Sequence, residues 1–71
     1  RRERSYLNKS MNRIDFTYES LKKDKLEGVK QLEEIRKEVT NLFKKGKLTD
    51  SHYNILDKRI SKLINTLLRT E

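Results

Sequence analysis

The chain offers few residues whose type and spacing could do chemistry. His52 is its only imidazole and there is no cysteine. Asp50 and Asp57 are its nearest acids on either side, but at about 100° of rotation per helical residue they do not share its helix face. No HxxxH or HExxH spacing is present, so a metal site would need ligands from elsewhere. The reading preferred for His52 is an exposed residue in the first turn of a helix. A phospho-accepting role lacks the acid directly after the histidine in Thr49-Asp50-Ser51-His52-Tyr53-Asn54. Two glycines, Gly28 and Gly46, make no phosphate-cradling loop. The carboxylates alternate with lysine and arginine, and no apolar pocket is legible that would raise a carboxylate pKa for acid–base work. Catalytic residues, metals, cofactors and a small-molecule substrate are therefore not expected.

Positive charge is the next candidate for chemistry. The formal charge of +7 is uneven: residues 1–23 carry +4, residues 24–45 carry +1 and residues 46–71 carry +2. Arg1, Arg2 and Arg4 lead this basic arm and suit contact with phosphate, either of an anionic membrane surface or of nucleic acid. A frayed, solvated helix start is the competing reading. Lys9 and Arg13 continue the arm ahead of an apolar repeat, but a basic-region zipper would place a longer arginine-rich stretch there, with base-reading asparagines. Nucleic acid thus ranks below a protein partner.

The elements that must position these groups are helical. Charged residues make up 41% of the 71 residues and hydrophobic ones 32%, a balance closer to a long surface helix or coiled coil than to a large globule. Regular apolar spacing argues against disorder. No apolar run is long enough for a membrane span or a signal peptide, which with the absent cysteines points to a soluble, cytoplasmic chain. An opening at arginine and not methionine fits a piece of something longer.

Phe43-Lys44-Lys45-Gly46-Lys47-Leu48-Thr49-Asp50 reads as a helix end, a tight reversal and a helix start. Gly46 can take the left-handed conformation that closes a helix. Thr49 can cap the free N–H groups of the next helix, and Asp50 suits its positive end. Two helices joined this way run antiparallel around one seam, with Leu32, Ile35, Val39 and Leu42 meeting Tyr53, Leu56, Ile60, Leu63 and Leu67. Ile64 and Leu68 widen the stripe and Ile55 flanks it. The second helix should span about Asp50 to Leu68.

Before the hairpin, Leu7, Met11, Ile14, Tyr18 and Leu21 repeat at steps of four and three, the spacing of a coiled-coil seam. The register then meets Lys25 and Gly28, while Leu26 and Val29 supply apolar surface one position later. Two architectures follow. One is a single helix from about Glu3 to Lys45, on the order of 60 Å long, with the hairpin on residues 24–71. The other breaks near Lys22-Lys23-Asp24, where Asp24 and Glu27 form a capping pair, and gives three helices near 4–22, 25–45 and 50–70. With no proline or glycine at 22–24, the continuous helix is preferred. It leaves Leu7, Met11, Ile14, Tyr18 and Leu21 uncovered within one chain, so they are predicted to be an oligomer interface. Phe16 lies on the opposite side and is either a lone exposed aromatic or a second contact face.

From Ile35 to Leu63 the pattern Leu42, Phe43, Gly46, Leu48, Thr49, Asp50, Tyr53 and Leu56 resembles the short carboxy-terminal (SHOCT-like) helical-hairpin family of prokaryotes. It is also similar to cytoplasmic helical tails of some archaeal and bacterial membrane proteins. That resemblance implies an assembly or regulatory module attached to a larger protein, not an enzyme. The sequence thus predicts an all-α oligomerisation module pairing with itself or another helical protein. Arg1, Arg2 and Arg4 suit the start of a cytoplasmic segment below a bilayer.

Overall fold

The structure, a computed structural model, describes residues 2–69, with side chains described over residues 5–69. Three helices of equal length follow one another: α1 (Arg2–Leu21), α2 (Lys25–Lys44) and α3 (Asp50–Arg69). No strand occurs among the described residues.

The predicted continuous helix to Lys45 is not formed. The bundle is 39 Å in its longest dimension, well short of such a helix. Local chemistry closes α1 and reopens α2. The Asp24 N–H donates to the Leu21 carbonyl at 2.9 Å. The Asp24 carboxylate accepts from the Glu27 N–H at 3.3 Å, capping α2. A straight continuation would put Lys25 and Gly28 into the seam. Folding back instead places α1 against both α2 and α3, and the apolar residues of α1 find cover in their own chain.

Ile14 is completely buried, and Leu7, Met11 and Tyr18 pack half-buried against the same core. The oligomer-interface assignment for Leu7, Met11, Ile14, Tyr18 and Leu21 therefore loses the uncovered seam on which it rested. Leu21, also half-buried, closes α1 beside Gly28. Gly28 is buried at the start of α2, where a Cβ would lie 2.9 Å from Leu67 Cδ1 and 3.2 Å from the Leu21 carbonyl oxygen. Its lack of a side chain lets the first turn of α2 sit against both.

The hairpin half forms through local signals. Gly46 adopts φ 80°. Its N–H donates to the Phe43 carbonyl at 3.0 Å, and the Lys47 N–H donates to the Leu42 carbonyl at 2.8 Å, the paired bonds of a glycine-terminated helix. Thr49 Oγ1 then accepts from the His52 N–H at 3.1 Å and caps α3. The core comprises Ile14 of α1, Leu32, Ile35 and Val39 of α2, and Leu56, Ile60, Leu63, Ile64 and Leu67 of α3, closed at the turn by Leu48. Leu42 and Tyr53 are only half-buried. Tyr53 stacks on Phe43 with ring centroids 4.6 Å apart.

Candidate functional site

Three arginines and three acids among the described residues tie the helices together. Arg13 on α1 donates to Glu38 on α2, its Nη2 lying 3.1 Å from Oε2. Arg36 on α2 reaches α3, with Nε 3.2 Å from Asp57 Oδ1 and Nη2 donating to Ser61 Oγ. The Arg36–Asp57 approach is an attraction of charges without an aligned N–H, since Nε is buried and lacks a hydrogen bond. Arg59 on α3 closes the circuit, donating from Nε and Nη2 to Asp15 Oδ1 of α1 at 3.0 and 2.9 Å. Each helix thus sends one arginine to the next. Such partly exposed pairs contribute about 0–1 kcal/mol each, so they act more on register than on total stability.

Most of the other carboxylates among the described residues also have partners. Glu27 accepts from Gln31 Nε2 at 2.7 Å, and Glu33 lies 3.7 Å from Arg36 Nη1. Glu19 accepts from Lys22 Nζ at 3.0 Å, and that hydrogen bond with its charge attraction holds the exposed ammonium above its usual pKa. No group of metal-ligating side chains gathers among the described residues. His52 is half-buried, not exposed as the sequence suggested, and its Nδ1 is enclosed without a hydrogen-bond partner. Neither Asp50 nor Asp57 is bonded to it: Asp57 turns to Arg36.

Two surface features stand apart. Four large apolar side chains stay outside the core: Phe16, Leu26, Ile55 and Leu68, exposed by 73, 83, 46 and 62%. Leu26 and Leu68 belong to the same end of the α2–α3 pair, because Gly28 and Leu67 meet there. Sequence periodicity put Leu68 and Ile55 at the edge of the stripe and did not foresee how far they stand in solvent. The second feature is a groove of about 390 Å³ between α1 and α3, lined by Met11, Ile55, Lys58, Arg59 and Lys62. A smaller groove of about 260 Å³ runs between α1 and α2, beside Tyr6, Lys9 and the Arg13–Glu38 pair.

The start of α1 lies at the end of the bundle that carries the Lys44-Lys45-Gly46-Lys47 turn. Lys47 Nζ lies 6.0 Å from the Tyr6 ring centroid, at the outer limit of a cation–π contact. The phosphate-contact candidates fall outside the described residues, Arg1 entirely and Arg2 and Arg4 in their side chains. No helix among the described residues is long and apolar enough to cross a membrane.

Comparison with known proteins leaves the chain by itself: no protein-family model, no curated protein and no solved structure matches it.

Proposed function

We propose that this chain is a non-catalytic protein-interaction module, the assembly or regulatory segment of a larger cytoplasmic or membrane-attached protein. The observation that carries the reading is the apolar surface left over once the core is complete. A chain with 32% hydrophobic residues leaves Leu26 and Leu68 in solvent at one end of α2 and α3. Burying an aliphatic side chain of that size contributes roughly 1.5–3 kcal/mol, a gain open to a partner at this surface. The engagement of most acids in ties between and within helices supports a scaffolding role over acid–base chemistry. The resemblance of residues 35–63 to SHOCT-like hairpins supports attachment to a parent protein. Partners of two kinds fit, a second copy of the chain or another helical protein. Photocrosslinking in the native cell, with a photoreactive residue at position 26, 55 or 68, tests the reading. Crosslinks to protein are expected. Crosslinks to nucleic acid alone, or none at any position, overturn it.

One observation favours a second reading, contact with phosphate through the basic arm. The turn carrying Lys44, Lys45 and Lys47 lies at the end where α1 begins, so that end of the bundle carries cations of its own. Binding to duplex DNA should then weaken steeply with salt. The absence of salt-sensitive binding at low ionic strength removes nucleic acid, and a parallel titration with anionic vesicles tests a membrane surface.

A further inference from the structure

We propose that the groove between α1 and α3 is a docking site for an acidic amphipathic helix. This rests on the interaction reading above and names the partner's chemistry. The groove has an apolar floor, Met11 and the half-exposed Ile55, beside the cations Lys58, Arg59 and Lys62. Arg59 is engaged by Asp15, whereas Lys58 and Lys62 have no ion-pair partner among the described residues. The charge is one-sided: from Lys58 to Arg69, α3 carries four cations and no acid.

Spacing gives the partner its pattern. Lys58 and Lys62 are four residues apart, one turn along the same helix edge, so carboxylates three or four residues apart on a second helix would face both. Between them, an apolar stripe on that helix would lie on Met11 and Ile55. Methionine's flexible thioether adapts to side chains of varied shape. Amphipathic-helix-in-groove recognition uses this combination of apolar anchors and edge charges. A nucleic acid fits less well. The lining offers no aromatic ring for a base to stack on.

The probe is a fluorescein-labelled 18-residue peptide with leucines every three to four residues on one face and glutamates four apart along its edges. Its controls are the same residues scrambled and a version with every glutamate changed to glutamine. Fluorescence anisotropy with the full chain near physiological salt should show binding to the amphipathic acidic peptide alone. The double variant K58E/K62E should weaken it about tenfold or more, and I55N should weaken it as well, with circular dichroism confirming that each variant folds. K30E/K37E changes the charge equally on the exposed face of α2 and should leave binding within about threefold, since separated exposed charges are screened. Equal loss in K30E/K37E, equal binding of the scrambled peptide, or no binding at all overturns the groove assignment. Amide shifts that map to Leu26 and Leu68 also overturn it, while leaving the interaction reading standing. That reading falls if the photocrosslinking yields no protein partner.

Discussion

Replacing Gly28 by alanine distinguishes the observed bundle from the continuous helix by the sign of its effect. In the middle of a long exposed helix the change would stabilise by about 1 kcal/mol, the propensity difference between the two residues. In the bundle the added Cβ would lie 2.9 Å from Leu67 Cδ1 and 3.2 Å from the Leu21 carbonyl oxygen. The methyl end of Leu67 could rotate in a loose environment, but Leu67 is 1% exposed and held on all sides. The Leu21 carbonyl cannot retreat without loosening its 2.9 Å bond from the Asp24 N–H, which closes the α1–α2 turn. Overpacking of this kind costs about 1–3 kcal/mol. Set against the propensity gain, the expected result is net destabilisation of about 1 kcal/mol. For a domain of this size that lowers the melting temperature by roughly 4–8 °C. Urea unfolding followed by circular dichroism gives the free energy directly. A G28A variant more stable than the parent by about 1 kcal/mol would refute the packing of α2 against the turn, and with it the three-helix arrangement.

Three further outcomes are expected. Ile14→Ala should cost about 2–5 kcal/mol in urea unfolding; an unchanged stability would contradict its complete burial in the core. Asp24→Ala should cost roughly 0.5–1 kcal/mol in urea unfolding, toward the low end for a helix cap, because its hydrogen bond to the Glu27 N–H is long at 3.3 Å. Gly46→Ala should cost about 1–2 kcal/mol through backbone strain alone, since φ is 80° and a Cβ there meets nothing within 4 Å. Gly46→Asn should cost less, because asparagine tolerates that conformation; equal losses for the two would contradict a purely conformational origin.

What could be read from the sequence, and what could not, follows the range of the interactions. The reversal at residues 46–50 was legible because its causes are local: a glycine that closes α2 and a threonine whose hydroxyl caps α3. The core of α2 and α3 followed from apolar spacing. The break at Lys22-Lys23-Asp24 carried a weak signal. Neither proline nor glycine marks it, and the Asp24–Glu27 cap competes with a helical propensity that runs straight through. What decides it is the burial of Ile14 against α2 and α3, a gain visible only when distant segments meet. The arginine ties lie further out of reach, joining residues 25 and 44 positions apart; among so many candidate cations and acids, spacing cannot choose the partners. The groove between α1 and α3 exists only because the break does, so neither its floor nor its lysine edge could be assembled from periodicity.

The circuit of arginines also decides what kind of charge the outside world meets. Arg13, Arg36 and Arg59 are engaged by carboxylates, so those three planar forks, which would grip a visitor in one orientation, are occupied. Lys30, Lys37, Lys58 and Lys62 offer round, hydrated ammonium groups on supple stems instead. Amines of this sort tolerate many poses. They favour quick, loosely oriented encounters, and acetylation can erase them one at a time without touching the ties between helices.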